Sequence, residues 1–500
     1  MTHPIHTFLK RAQDQGHTAL SSALAKELRM HYGLTWEAVP DELYQTGELI
    51  RLLPPLIIDP KAATGEARIA RWLASQRARP PGVGYPLGAA PNAATASQGA
   101  AWAGLQDAGR AAALTGLPGT GKTWLTARLV EGLQRAGLIV KVCAPTGKAA
   151  SVLTLKLDGK NEATTIHRLL GLRPGEFPTR AVDADVVIVD ESSMVDAELL
   201  GFLCEALAPT TSILLVGDHH QLPPVGAGCP FRDVVEGTLL PVFHLDGIVR
   251  QAEGNGIIQF THDLARGRVA LPERNVHHFK LAPERMEAEA VDLYCSTRLR
   301  DKFQLTNVEK EFLILSPVRQ EKFAASTYNL NEQISHRLHP ERTIKNSKFT
   351  TGDRIMFTVN NAQYGFVNGE VGVLDKFHKR QAVITNDRGF TYALDDYSLG
   401  QFVEWAYALT VHKAQGSECK VVALLLHPAA RFMYTRQLLY TAATRAAEEL
   451  LIFGDLALLQ AAVQRVDQRT TCLAALMEEP AVVERILDHG SLASYTVGYD

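Results

Sequence analysis

Cysteine is scarce in this 500-residue chain: there are six, at 143, 204, 229, 295, 419 and 472, and no two form a C-x-x-C pair. That scatter argues against both a zinc site and a disulfide framework, and fits a reducing compartment. Long apolar runs are also missing, since no stretch reaches the roughly 18 uninterrupted apolar residues that suggest a bilayer span. Met1-Thr-His-Pro-Ile-His6 carries no signal-peptide pattern. The expectation is a cytoplasmic protein with no membrane attachment. Excess positive charge is absent too. Net charge is −3, so no bulk field advertises nucleic acid and any such surface must be local. What remains is ordinary: 46% apolar and 21% charged residues, the balance of a soluble globular chain. The length exceeds a single core and implies several domains.

One stretch carries a chemical statement. Ala111 to Leu114 is a short apolar run that reads as a buried strand. It breaks into Thr-Gly116-Leu-Pro118-Gly119-Thr120-Gly121-Lys122-Thr123, and a helical pattern runs from Trp124 to about Arg135. This fits G-x-x-x-x-G-K-T between a strand and a helix. Glycines let backbone N–H groups curl round phosphate oxygens, and the positive end of the following helix points at them. Lys122 is placed for the β/γ-phosphates and Thr123 for Mg²⁺. The chain is expected to bind a nucleoside triphosphate.

Around that stretch the texture changes several times. Residues 1 to about 78 look mainly helical, with apolar residues at helical spacing over Leu20–Tyr32 and Glu66–Leu73, interrupted by Leu52-Leu-Pro-Pro-Leu-Ile-Ile58. They suggest an accessory or docking region for a protein partner, and a Pro/Gly/Ala-rich linker follows to about residue 90. From Gln98, short strands rich in branched residues alternate with helices: Leu138–Ala144, Asp185–Asp190 and Ser212–Gly217. Continuous apolar strands of this kind suit a parallel sheet covered on both faces. A second α/β region holds Phe312–Ser316, Ala406–Thr410, Val421–Leu426 and Leu450–Phe453. Between its first two strands, about 348–402, short alternating strands with tight turns indicate an all-β insert.

Further candidate chemistry clusters at strand ends. Asp190 and Glu191 follow Val187-Ile-Val189, where Asp190 suits Mg²⁺ and Glu191 suits polarising an attacking water. Gln221, in Gly217-Asp-His-His-Gln-Leu-Pro-Pro-Val225, is placed to sense a γ-phosphate. The adjacent His219 and His220 lack further ligands at metal-site spacing. Arg250 and Arg445 are candidates to meet a developing phosphoryl charge, although single arginines more often serve solvation or salt bridges.

Taken in order, these stretches resemble the motif set of a superfamily 1 helicase, most closely the RecD-like branch of superfamily 1B, from about Gln98 to Gly454. Gly116–Thr123 resembles motif I, Ala144-Pro145-Thr146-Gly147-Lys148-Ala-Ala150 motif Ia, and Thr164-Thr165-Ile-His167-Arg-Leu-Leu-Gly171 motif Ib. Asp190-Glu191 falls in motif II, Gly217–Pro223 in motif III and Arg250 in motif IV. Tyr407-Ala-Leu-Thr410-Val-His412-Lys413-Ala-Gln-Gly416-Ser-Glu418 resembles motif V and Tyr440–Arg445 motif VI. The resemblance implies an α/β chain of two RecA-like lobes with parallel sheets, ATP between them, and Arg250 and Arg445 reaching the γ-phosphate from the second lobe. It also implies a first lobe over 91–242 with a strand-separating pin at about 169–184; the small helical N-terminal domain and linker over 1–90 are shorter than the region this family commonly carries there. The second lobe would be 243–347 with 403–500, holding an SH3-like β insert at 348–402. Gln98 resembles an adenine-contacting glutamine and Glu418 an acid near the ribose, while Pro118, Gly119, Thr120 and Trp124 complete the nucleotide loop.

Single-stranded DNA and single-strand/duplex junctions are the implied partners, with the protein acting as a monomer. Pro145, Thr146, Gly147, Lys148, Thr165, His167, Thr410, His412 and Lys413 offer hydroxyls, amides and cations for phosphate and sugar, without a base code. In Asn360-Asn361-Ala-Gln-Tyr364-Gly-Phe366-Val-Asn368-Gly369, Asn361 and Asn368 join two aromatics that either stack bases or pack a turn. The pin segment is short, with Phe177 its one aromatic wedge. The implied activity is Mg²⁺-dependent ATP hydrolysis coupled to 5′→3′ movement and duplex unwinding. Two alternatives stand beside it: a translocase that displaces proteins with little unwinding, and a nucleotide-gated DNA-binding switch.

Overall fold

The computed structural model describes residues 4–490 apart from 33, 36–38, 53–55, 78–83, 158–160, 173–179, 248–253, 342–346, 362 and 379. They form two compact units. One comprises Met1–Pro145, Leu153–Val249 and Gln468–Asp500, and the other Thr146–Val152 and Arg250–Asp467.

The first unit is built on a six-stranded parallel sheet. Its order is Thr164–Thr165, Val140–Ala144, Val186–Val189, Ser212–Gly217, Ala111–Gly116, Val242–Leu245. Strands such as Val186–Val189 and Ser212–Gly217 are buried along their whole length, which is why they read as unbroken apolar runs. Thr115 pairs with Gly217, and Val189 with Leu215. The turns after these three neighbouring strands therefore leave the same edge of the sheet, the edge where doubly wound folds bind ligands.

The N-terminal region is mainly helical, as its spacing suggests. A three-stranded antiparallel sheet of Ala19–Ser21, Leu56–Ile58 and Ile50–Leu52 lies among its helices. Strands of three residues are too short to show alternation, and Pro54-Pro55 reads as a break rather than a connection. Ile5, Phe8, Leu20, Leu28, Leu49 and Ile57 make a small core there. The helix Pro60–Arg77 belongs instead to the main core, beside Ala197–Ala206. Small residues allow the approach: a Cβ on Gly65 would come within 2.6 Å of the Ala197 backbone.

Two C-terminal helices, Leu473–Met477 and Pro480–Gly490, join the same core through Leu473, Leu476, Val483 and Ile486. Residues 468–490 thus pack with the first unit, not with the second lobe over 403–500 that the resemblance implies. A buried carboxylate fastens the arrangement. Glu66 accepts from the Thr18 hydroxyl (2.8 Å) and from the backbone N–H (2.8 Å) and thiol (2.7 Å) of Cys472. Burial pushes the Glu66 carboxyl above its ordinary range.

The second unit has a five-stranded parallel sheet in the order Val276–Phe279, Ala446–Gly454, Cys419–Leu426, Phe312–Leu315, Ala408–Leu409. Val276–Phe279 escapes a reading by apolar runs because His277 and His278 interrupt it. The all-β insert is present as a five-stranded antiparallel sheet. Arg354–Phe357, Val371–His378, Gln381–Asn386 and Thr391–Asp395 are joined by Val403–Trp405. It shares one core with the α/β part. At their junction the buried Asp353 accepts from Ser335, Tyr407, Trp405 and the Thr350 backbone N–H, at 2.6–2.9 Å. Four donors offset the cost of burying that carboxylate.

Candidate functional site

The glycine-rich turn begins where Ala111–Gly116 ends and stops at the helix Lys122–Arg135. Gly119 and Gly121 have φ of 77° and 79°, a left-handed backbone that turns successive N–H groups into an anion-binding concavity. Gly116 is fixed by space: a Cβ there would lie 2.7 Å from the Thr120 hydroxyl and 2.9 Å from the Leu245 carbonyl. The Thr120 hydroxyl donates to the Leu117 carbonyl (2.8 Å). Lys122 Nζ donates to the carbonyls of Gly116 (2.5 Å) and Leu117 (3.2 Å). Its ammonium thus lies folded back over the turn. Pro118, Thr123 and Trp124 are half-buried around it.

Gln98, the glutamine that the resemblance places at adenine, is tied to the phosphate loop. It is buried, its Nε2 donates to the Thr120 carbonyl (3.0 Å) and its Oε1 accepts the Thr95 N–H (2.9 Å). It acts as a strut: the capping box of the helix Ala96–Asp107 is tied through it to the phosphate loop.

Asp190 follows Val186–Val189 at the same sheet edge. Its backbone N–H donates to the Cys143 carbonyl (2.9 Å), and its carboxylate accepts the Glu191 N–H (2.9 Å). Burial, and then the neighbouring Glu191, push the Asp190 carboxyl up to about 6. A half-buried carboxylate with a second acid beside it suits a cation. Glu191 has φ 52°, a strained conformation for a side-chain-bearing residue, which turns the chain sharply into Ser192–Met194.

In the adjoining turn, Asp218 and Gln221 are buried. His219 Nδ1 lies 3.0 Å from the Thr115 hydroxyl, joining this turn to the phosphate-loop strand. Burial, then His220, lower His219 to about 4. Asp218, His219 and His220 bring ligand-type atoms within 4.8 Å of one another, the one such group among the described residues. Because the three are consecutive and His219 already engages Thr115, the group is explained as part of the turn.

The first unit thus brings Gln98, Gly116–Trp124, Asp190, Glu191 and Gln221 to one edge of one sheet. Pro145 follows the strand Val140–Ala144. Thr165 ends the edge strand, where its hydroxyl accepts the Arg168 N–H (3.1 Å) and caps Ile166–Leu170. Burial lowers His167.

In the second unit Arg445 is buried, with three of its five N–H groups engaged. Its guanidinium donates to the carbonyls of Thr441 (3.1 Å) and Ser417 (3.1 Å) and to the Thr444 hydroxyl (2.9 Å). Gly416 takes a left-handed turn at φ 70°, and His412 and Glu418 are exposed. Thr410 bonds back to the Lys413 N–H (3.4 Å), and the Lys413 ammonium donates to Glu404.

Thr146–Val152 clusters with this unit. A Cβ on Gly147 would meet Val367 at 2.2 Å, and Thr146 caps Ala149 N–H (3.2 Å). Lys148 donates to the Ser417 hydroxyl, and burial lowers it to about 8. Its ammonium is thus engaged within this unit.

The hairpin aromatics resolve towards packing. Phe366 is buried, with the rings of Phe357 (4.1 Å) and Tyr364 (5.9 Å) nearly parallel to it. At 1% exposure it is not open to stack a base, so of its two readings it takes turn packing. Tyr364 stays half-buried, Asn361 accepts the Gln363 and Tyr364 N–H groups at 3.0 and 3.2 Å, and Asn368 is half-buried beside them. Arg250 and Phe177 lie outside the described residues.

Comparison with known proteins agrees with the order of these elements. The AAA domain family matches residues 93–282, and the UvrD-like helicase C-terminal domain matches 405–453. The ATP-dependent RecD2 DNA helicase of Deinococcus radiodurans is 32% identical, over 93% of this chain and 66% of its own length. The chain therefore spans about two thirds of that relative. The RecBCD enzyme subunit RecD of Mycolicibacterium smegmatis is 31% identical, over 72% of this chain and 71% of its own. Among solved structures, a Bacteroides Pif1 helicase in complex with ADP-AlF3 and single-stranded DNA covers 73% of this chain at 18% identity, with a TM-score of 0.46.

Proposed function

Because the chain belongs to the RecD-like family of DNA helicases, we propose that it is an ATP-driven motor that moves 5′→3′ on single-stranded DNA and separates duplex ahead of it. The observation that carries the ATPase reading is the shared sheet edge: phosphate loop, Asp190-Glu191 and Gln221 leave neighbouring parallel strands on one side.

Each residue then has a task. The Gly119–Gly121 turn takes the phosphates on its N–H groups. Lys122 leaves the Gly116 and Leu117 carbonyls for the more negative β/γ-oxygens. Thr123 and Asp190 would hold Mg²⁺, which when bound neutralises charge on the phosphate oxygens. Glu191 takes the proton of the attacking water, and Gln221 hydrogen-bonds that water or the γ-phosphate. Arg445, with Arg250, meets the charge that develops on the transferred group. Glu418 and Gly416 lie near the ribose.

The surface proposed for DNA comprises Pro145, Thr146, Gly147, Thr165, His167, Thr410, His412 and Lys413, with Asn361, Tyr364 and Asn368 on the hairpin. Hydroxyls, backbone amides and cations recognise sugar and phosphate, so binding is independent of sequence. Alternating grip by the two sets of contacts during the ATP cycle produces movement. Residues 1–78 are the proposed place for a protein partner.

Unwinding of 5′-tailed and 3′-tailed duplexes, measured beside displacement of streptavidin from biotinylated single strands, tests direction and output together. The expected result is ATP- and Mg²⁺-dependent unwinding of the 5′-tailed substrate alone. Unwinding confined to the 3′-tailed substrate would reverse the polarity. Streptavidin displacement without strand separation would make the protein a translocase.

A further inference from the structure

Beyond Gln221 the chain runs through Leu222-Pro-Pro224-Val-Gly226-Ala-Gly228, and one side chain from near the far end of the sequence holds this loop. Arg469 Nη1 donates to the carbonyls of Gly226 (2.6 Å) and Gly228 (3.3 Å), and Nη2 donates to that of Pro224 (2.7 Å). The carbonyl of Arg469 in turn accepts from Arg232 (3.2 Å).

The N-terminal segment closes the grip from the other side. The Gly16 carbonyl accepts the Gly228 N–H (2.9 Å). Gly16 lies so close to the guanidinium that a Cβ there would fall 2.3 Å from Arg469 Cζ, at a φ of +89°. The same loop also touches the continuation of Asp190-Glu191. A Cβ on Gly226 would meet the Asp196 carboxylate at 2.3 Å, and Ala197 N–H donates to the Ala227 carbonyl (3.1 Å).

Three carbonyls converging on one planar fork is a geometry that a lysine's single point charge cannot reproduce. Backbone carbonyls in an irregular loop need such donors to hold one conformation. The loop begins three residues after Gln221 and abuts Asp196, six residues after Asp190. It therefore connects the turn that carries Gln221 with the chain that continues from Glu191.

We propose that Arg469 is a positioning residue for ATP turnover: by gripping the carbonyls of Pro224, Gly226 and Gly228 it fixes the loop that orients Gln221 and braces the chain after Glu191. The inference rests on the reading of this site as an ATPase. Gly16 and the Arg469 segment are the contacts that join the N-terminal region to this loop.

The test is steady-state ATPase of the full chain with single-stranded DNA, resolving kcat from KM, for wild type, Arg469→Ala, Arg469→Lys and Gly16→Ala. Arg469→Ala is expected to lower kcat about tenfold or more, as loss of charge-assisted bonds would, with KM for ATP changed less than about twofold. Guanidinium chloride at millimolar concentration should restore part of the activity of Arg469→Ala and leave wild type unimproved. Arg469→Lys should recover little. Gly16→Ala should act in the same direction, by pushing the guanidinium off its carbonyls. A folded Arg469→Ala with wild-type kcat overturns the proposal, and so does a loss of kcat that follows a lowered Tm with no guanidinium rescue. Should Arg469→Ala fail to fold, wild-type kcat in both Arg469→Lys and Gly16→Ala overturns it. A wild-type chain that hydrolyses no ATP removes the ATPase reading itself, and this proposal with it.

Discussion

Lys122→Ala is expected to reduce ATP hydrolysis to background, a fall of about 10²–10³-fold or more, while the fold persists. The reason lies in what Lys122 touches. Without a phosphate its ammonium is satisfied by the carbonyls of Gly116 and Leu117, so it serves the loop's conformation only weakly and its charge is available for transfer. Alanine leaves those two carbonyls to water at a half-buried position, a modest cost in stability. It also removes the one mobile positive charge of the loop from the place where negative charge accumulates. Steady-state phosphate release, with circular dichroism to confirm folding, measures both. Near-wild-type turnover in a folded Lys122→Ala protein would remove the phosphate loop from the chemistry.

Arg445→Ala is expected to keep nucleotide binding and lose turnover by about 10³-fold or more, the range of arginine fingers. That loss corresponds to about 4 kcal/mol of barrier. The bonds from its guanidinium to Thr441, Ser417 and Thr444 fix its direction before any substrate arrives. Pre-set charge of this kind stabilises a transition state without reorganisation. Arg445→Lys should recover little, since an ammonium cannot reproduce a planar fork held by three acceptors. Binding of a fluorescent ATP analogue, compared with kcat for hydrolysis, separates the two effects. Weakened binding with unchanged kcat would assign Arg445 to the ground state instead.

The parts of the chain that local chemistry dictates were legible from the residues. A strand, a glycine turn and a helix in direct succession leave one reading of Ala111–Arg135, and the alternating strands of the insert announce themselves by their period of two. What escaped depends on distant partners. The three-residue strands around Pro54-Pro55 exist because they pair with one another, and no window of sequence shows that pairing. The tie from the Gln98 amide to Thr120 does not show in its residue type. Phe366 looks like an exposed hairpin ring until it is seen buried beside Phe357 and Tyr364. Arg469 carries no pattern at all: a lone arginine in Asp467-Gln-Arg-Thr470 acquires meaning only through carbonyls some 240 positions earlier. The strain at Glu191 likewise belongs to a backbone angle that its residue type does not announce.

In the proposed cycle, single-stranded nucleic acid drives ATP turnover at this site. The most direct measurement is the steady-state ATPase rate of the wild-type chain with Mg²⁺, before and after adding single-stranded DNA. The expected result is a strong rise on adding DNA. A rate that no nucleic acid raises, or one that stays below about 0.01 s⁻¹ with DNA present, in the range of unassisted nucleotide switches, would contradict it.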